Sequence, residues 1–402
     1  MINSSESRLS PRGPTEHRGV TMGIHRARAL KSCSLAVGAL ALTGAAASAT
    51  PLSPVVGHAY IDGNTPGIDT VDELDRHADG SLTPTPGSPV EIGGAGTGAS
   101  LASQGAIQSA YDGRYLLAVD AGSNQISVLR VGWNGVPTEI GAPVSSGGIE
   151  PNSIAVHGDL VYVANSGSPN YTGFRLTPDG RLLPITSSTV TVASGSALGD
   201  VLLNATGTTL VGTEVASSEI DSFAVRSDGR LRAAPGSPYA GQGLGQLGAE
   251  FNPVNPFQLF VSNAHNGAGL GTVSSYTVGF SGALSPVSTS PFADGQTAPC
   301  WVEISHDGRY LFTVNTGSEN ISSYAVGQFG HLTLVGSVPI GGSTGGDIDA
   351  RLSPDGRSLL VVGGTSEVVS AFAVHGGTLS ELASSPTMLP ARDLAPSGIV
   401  VN

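Results

Sequence analysis

Phe174-Arg175-Leu176-Thr177-Pro178-Asp179-Gly180-Arg181-Leu182 decides how this chain folds, because the same phrase returns about every fifty residues. An aromatic residue or leucine opens it, a small turn ends in glycine, and an apolar residue closes it. The other copies run through Leu74, Gly80 and Leu82; Leu129, Gly135 and Val136; and Phe223, Gly229 and Leu231. Three more follow at Tyr276, Gly282 and Leu284; Tyr324, Gly330 and Leu332; and Phe372, Gly377 and Leu379. Asp79, Asn134, Asp179 and Asp228 stand directly before their glycines. Asx-Gly is the strongest short-range hairpin signal, since both residues tolerate positive φ. Seven such hairpins predict an all-β fold, a seven-bladed β-propeller. A linear β-solenoid is the competing architecture, but its repeats are usually shorter.

Upstream of each hairpin lies a second turn with strand-like residues on both sides. Residues 105–110, Tyr111-Asp112-Gly113 and residues 115–119 read as strand, turn and strand. The pattern repeats around His306-Asp307-Gly308 and Pro354-Asp355-Gly356. Each blade is therefore expected to hold four strands, A to D, with the glycine hairpin joining C to D. The first blade opens at Val55-Val56-Gly57-His58, already a B strand, whereas the chain closes on Ser397-Gly398-Ile399-Val400-Val401-Asn402, an A strand without a B strand after it. Pairing of this C-terminal strand with the N-terminal blade would close the ring and remove its free sheet edges.

Composition agrees with many short strands. The 402 residues include 57 Gly and 26 Pro, and only 12% are charged. Residues 1–49 are expected to be a secretory signal peptide rather than part of the fold. Arg26, Arg28 and Lys31 precede an apolar run over residues 35–47, and Ala47-Ser48-Ala49 has the small-x-small form of a cleavage site. A start at Met22 would make residues 1–21 an over-extended reading. The expected product is secreted, periplasmic or extracellular, and the propeller is expected over residues 50–402.

Taking the leader's six basic and two acidic residues from the totals of 18 and 31 leaves 12 and 29, a net −17. The only lysine, Lys31, lies in the leader. A nucleic-acid partner needs a basic stripe, which is lacking, and an anionic membrane surface is disfavoured for the same reason. Cys300 is alone after the leader, so no internal disulfide is expected, and it reads as an apolar strand residue. No cofactor or metal centre is implied: the histidines lack ligand spacing, and carboxylates that could hold calcium are spread over the blades without a signature. Gly94-Ala95-Gly96-Thr97-Gly98 resembles a phosphate loop, but with no helix after it the segment reads as an inter-blade connection. A monomer is expected.

A propeller gathers its B–C loops at one mouth of the central channel. These loops carry Asp62, Asp120, Asn165, Glu214, Asn263 with His265, and Asn315. Asp and Asn commonly cap such loops by bonding their own backbone. Glu214 is the exception, being a poor turn former with a longer reach. Asp200, Asp347, Asp349 and Arg351 are expected on the innermost strands. A carboxylate beside an arginine could orient a water or bind a small substrate, or could form an ion-pair network without chemistry. Glu214 and Arg351, with His265 as a third member, are the catalytic candidates. Asp62, Asp120, Asn165, Asn263, Asn315 and Asp349 are the binding candidates.

Ser353-Pro354-Asp355-Gly356-Arg357, His306-Asp307-Gly308-Arg309-Tyr310-Leu311 and Gly122-Ser123-Asn124-Gln125-Ile126-Ser127-Val128 resemble the lactonase-type propeller family. This family includes 6-phosphogluconolactonase and carboxymuconate-cyclising enzymes, and the likeness is to an exported bacterial branch. It implies a seven-bladed ring that binds, and hydrolyses, a small lactone or cyclic ester. Family enzymes bear a histidine in an early inner strand, where this chain reads Ser103-Gln104-Gly105-Ala106. They also bear an inner-strand arginine before a glutamate. Val211-Gly212-Thr213-Glu214 resembles the acidic position, but Leu198-Gly199-Asp200 stands where the arginine would be. Arg351 would then supply the cation from another blade. The competing function is a non-catalytic ring that presents its loops to a protein or polysaccharide partner.

Overall fold

The computed structural model describes residues 53–342, 346–390 and 395–402; the expected leader over residues 1–49 lies outside them. Strands dominate the described residues, in seven antiparallel sheets. Blade 4 shows the plan: A is Leu198–Leu203, B is Thr209–Glu214, C is Glu219–Val225 and D is Leu231–Ala233. The A strands of blades 2, 3, 5, 6 and 7 are Ile107–Ala110, Pro151–His157, Gln246–Asn252, Pro299–Ile304 and Asp347–Leu352.

Blade 1 takes its A strand from the C-terminus. Ser397–Val401 pairs antiparallel with Val55–Asp62, setting Val401 opposite Ala59 and Ile399 opposite Ile61. The seven A strands pack side by side in order, and Ser397–Val401 lies between those of blades 7 and 2, which closes the ring. The expected clasp is present. Because strands alternate in direction, the A–B turns and C–D hairpins share one face and the B–C and D–A connections share the other.

The expected four strands per blade hold only in blade 6. In the other six sheets the outer strand is broken, and both pieces pair with strand C. In blade 1 the break falls at Thr85-Pro86-Gly87-Ser88-Pro89, between Leu82–Pro84 and Val90–Glu91. Proline has no N–H to give the ladder, so the strand leaves it there. Blade 6 has no proline before Pro339 in its D strand, and Leu332–Pro339 runs on unbroken.

Apolar residues of facing blades form the core, as where Tyr115, Leu117 and Val119 meet Phe174, Leu176 and Leu182. A recurring hydrogen bond adds direction to this packing. Tyr60 and Tyr162 each donate to the carbonyl of the next blade's hairpin glycine, Gly135 and Gly229, and Tyr115 donates to Pro178 beside Gly180. Ser222 and Ser275 do the same for Gly282 and Gly330. Gly135, Gly229, Gly282 and Gly330 have φ between 78° and 86°, so in these four blades the residue that permits the turn also presents its carbonyl to the neighbouring blade. Each such bond is worth about 1 kcal/mol. Residues 94–98 link blades 1 and 2 as expected, with Gly96 and Gly98 donating to the Thr65 and Asn64 carbonyls. No helix among the described residues is long and apolar enough to cross a membrane.

Candidate functional site

The ring brings one residue of each A strand to the same height. Gln108, Leu202, Glu250, Glu303 and Arg351 pair with Leu117, Val211, Phe260, Phe312 and Leu360, each three residues before the end of its B strand. Side chains alternate along a strand, so Arg351 shares its face with Asp349, and Leu202 shares its face with Asp200. The result is an acidic channel around one guanidinium.

Arg351 Nη1 donates to Glu303 Oε2 at 3.2 Å and to Glu250 Oε1 at 3.4 Å. Glu303 Oε1 also accepts from the Leu352 N–H at 3.1 Å, whereas Glu250 has only a long contact from Gln104 Nε2 at 3.5 Å. Burial pushes Glu303 up to about 7, with Arg351 and the Leu352 N–H opposing the rise. Glu250 is raised well above the usual range by burial and then by the Glu303 charge, with only Arg351 pulling back. Burial alone would lower the Arg351 pKa, but Glu303, Asp349, Glu250 and Asp200 outweigh it and keep the side chain charged. Two carboxyls on one cation are thus unequal: Glu303 is the better held anion and Glu250 the better proton holder.

Above this layer the channel is filled. Gln104 crosses it from blade 2 to blade 6, donating to the Val302 carbonyl at 2.8 Å and accepting from the Val302 N–H at 3.0 Å. Asp200 accepts from Ser153 Oγ at 3.1 Å and the Ala249 N–H at 3.0 Å, and burial raises it to about 8. Asp349 accepts from the Ala350 N–H at 2.8 Å and the Gly105 N–H at 3.3 Å, and burial raises it as well. Below the layer the channel opens into a cavity of about 440 Å³, lined by Glu250, Glu303, Arg351, Gln108 and His306. Pro253, His306 and Pro354 at its rim belong to A–B turns, so it opens on that face. A cavity of about 340 Å³ on the other face, lined by residues such as Ser100, Ile348 and Thr365, has no titratable side chain in its described lining.

This placement differs from the expected mouth at the B–C loops. Asp62, Asp120, Asn165, Glu214, Asn263 and Asn315 all end B strands and are 0–1% exposed. They bond locally: Asp62 to the Asn64 N–H, Asp120 to Ser127, Asn165 to Asn170, Asn263 to Thr272 and Ser274, and Asn315 to Asn320 and Ser322. None of the six lines the axial cavity. Glu214 accepts from Ser217 and lies beside Asp221, whose carboxyl is pushed up to about 8, by burial first and then by Glu214. The expected meeting of Glu214 with Arg351 is not observed. Leu198, opposite Glu214, begins its A strand, whereas Arg351 stands near the other end of its own. His265 is exposed on the loop after Asn263, and Asp347 opens the A strand of blade 7. Cys300 is half-buried and burial raises its thiol pKa, in keeping with an inert strand residue.

Sequence reasoning missed Glu250, Glu303, Gln104 and Gln108. A signal existed: Gln108, Glu303 and Arg351 each stand four residues before the Asp of the Asp-Gly turn at Asp112, Asp307 and Asp355. Aligning the repeats on those turns puts all three at one height.

No curated protein sequence matches this chain. Among solved structures, a putative 6-phosphogluconolactonase from Bacteroides uniformis superposes with a TM-score of 0.69 at 18% identity, covering 86% of this chain and 99% of the other. A periplasmic gluconolactonase from Pseudomonas aeruginosa gives 0.67 at 19% identity, covering 86% and 98%. At these identities the likeness establishes the fold. The sequence model described as "Lactonase, 7-bladed beta-propeller" matches residues 69–203 and 271–390. The repeated hairpins, the clasped ring and that match together place the chain in the seven-bladed lactonase β-propeller family.

Proposed function

We propose that the axial cavity binds and hydrolyses a small lactone or related cyclic ester. The observation that carries this reading is Arg351, held between the buried Glu303 and the half-buried Glu250, of unequal basicity, at the wall of an open cavity. Glu303, as the anion, takes a proton from a water attacking the lactone carbonyl. Arg351 stabilises the tetrahedral oxyanion. The ring C–O bond then breaks, and the departing alkoxide receives its proton from the Glu250 carboxyl. One hydroxy acid is formed, and the two glutamates have exchanged protonation states.

One guanidinium already shared by two glutamates offers little positive charge to a phosphate group, so an uncharged or singly carboxylated lactone suits the cavity better. Export belongs to the same proposal, supported by the leader-like residues 1–49. Gln104 across the channel is the one feature that favours a ring without chemistry, which would present its loops to a protein or polysaccharide.

The test is a panel of γ- and δ-lactones, with 6-phosphogluconolactone included, run on residues 50–402. Glu303→Gln should lower kcat/KM at least ~100-fold, and Glu214→Gln should leave it near the parent value. Full activity in Glu303→Gln would remove the proposed base. No activity in the parent chain would favour the non-catalytic ring.

A further inference from the structure

Away from the axial cavity, a second group of ligating side chains lies on the two middle strands of blade 1. His58 pairs across the strands with Asp75, and Tyr60, two residues on, pairs with Glu73, so all four share one face. His58 Nδ1 stands 3.1 Å from Glu73 Oε1 and 3.2 Å from Asp75 Oδ1. The three ligand atoms all fall within 4.8 Å of one another. From this geometry we infer a binding site for a divalent transition ion such as zinc, with His58, Glu73 and Asp75 as its protein ligands.

Spacing supports the assignment. An ion with bonds near 2.0–2.1 Å holds neighbouring ligand atoms about 2.8–3.0 Å apart in octahedral and about 3.3–3.4 Å apart in tetrahedral geometry, a span of about 2.8–3.4 Å. Both distances from His58 Nδ1 fall in that range. Charge supports it independently. The Glu73 side chain is fully buried, and its Oε2 has no hydrogen-bond partner. The only cation-forming side chain bridged to Glu73 or Asp75 among the described residues is His58, which the two must share. Even a protonated imidazole leaves the group one negative charge in excess. A dication beside neutral imidazole brings it to zero, with the Nδ1 proton released to water.

The group is also supported and reachable. Asp75 Oδ1 accepts from Thr85 Oγ1 at 2.7 Å, which fixes the carboxylate while leaving it a lone pair. His58 and Asp75 border an open depression of about 510 Å³ beneath the fully exposed Trp133 and Asn134 of the next blade's hairpin. Waters there would complete the coordination shell. One imidazole and two carboxylates suit zinc or manganese better than calcium, which prefers an all-oxygen shell. The site also lies on the closing blade: the His58 N–H meets Asn402 Oδ1 at 2.8 Å, and the Asn402 N–H donates to the His58 carbonyl at 2.9 Å. An ion here would rivet strands B and C where the C-terminus docks.

The experiment is calorimetric titration of residues 50–402, stripped with EDTA, with zinc chloride, and with manganese and calcium chlorides as comparators. One equivalent of zinc should bind, calcium should bind at least ~100-fold more weakly, and saturating zinc should raise Tm by roughly 5 °C. His58→Ala and Asp75→Asn should each abolish saturable binding, and His265→Ala should keep it. Asp75→Asn, at a partly exposed position, serves if His58→Ala does not fold. No saturable zinc binding to the parent chain, or binding retained in the folded ligand variants, would overturn the assignment.

Discussion

Replacing Arg351 with methionine keeps the stem of the side chain and removes the only guanidinium lining the axial cavity. At 3.2 and 3.4 Å from two carboxylates, and at an effective dielectric near 20, each pair is worth about 5 kcal/mol of gross attraction. The net cost of breaking a buried pair is smaller, about 3–5 kcal/mol, because desolvation offsets much of that attraction. That figure applies only while the carboxylates are charged. Glu303 is raised to about 7 and Asp200 to about 8 in the folded chain. Unfolded, both would titrate near 4. The folded chain therefore holds protons that the unfolded chain releases, and stability falls as pH rises from about 4 to about 8. Without Arg351 these carboxyls move further up and the fall steepens. At pH 5 they are protonated in the variant, and the loss shrinks to lost hydrogen bonds, about 1–2 kcal/mol. At pH 8 it should reach about 4 kcal/mol. Urea unfolding of parent and variant at both pH values reads the difference directly. Equal costs at the two pH values, within about 0.5 kcal/mol, would refute the assignment of Arg351 as the counter-charge of this layer.

Other changes read other parts of the molecule. Gln104→Ala should cost about 2–3 kcal/mol in a urea titration, since both of its bonds to Val302 are buried; a loss below ~0.5 kcal/mol would mean that the bridge contributes nothing. Glu214→Gln should leave the urea midpoint at pH 8 unchanged or higher, because it relieves a like-charge contact with Asp221, and a loss above ~2 kcal/mol would contradict that. Truncation after residue 396 should bare the edge of Val55–Asp62 and produce self-association on size-exclusion chromatography; a monomer with unchanged Tm would argue against closure by the last strand. Protein recovered from a culture expressing the full sequence, sequenced from its N-terminus, should begin near residue 50 if the proposed leader is cleaved, and a chain starting at Met1 or Met22 would remove the leader.

The ring itself was legible because its signals are local. Asp79-Gly80, Asp179-Gly180 and Asp228-Gly229 announce turns within a few residues, and the unmatched strands at Val55 and Ser397 required each other. The broken outer strands were less visible, although Pro86-Gly87-Ser88-Pro89 and Pro235-Gly236-Ser237-Pro238 mark two of the breaks. The site was harder to read. Turn-forming Asp and Asn residues drew attention to the B–C loops, yet there they satisfy backbone and side-chain neighbours. Which end of the channel stays open depends on Gln104 reaching Val302, 198 positions away. That contact follows from three-dimensional packing across the axis, which no short-range pattern encodes. Glu303 and Arg351 could have been matched through their shared turns, but the selection of Glu250 from blade 5 needed the reach of a side chain as well as its register.

Borrowing the last six residues to finish the first sheet has a temporal side. Val55–Asp62 precedes all of blades 2 to 7 along the chain and Ser397–Val401 follows them, so the early strand waits for six blades before its inner neighbour exists. Contacts so distant along the chain slow folding, because a large loop must close before any reward is gained. Blades 2 to 7 can each collapse from contiguous segments, while the first remains a vacancy with a fixed shape. Arrival of residues 397–401 is then the event that completes the circle, and a chain lacking them would be left permanently ajar.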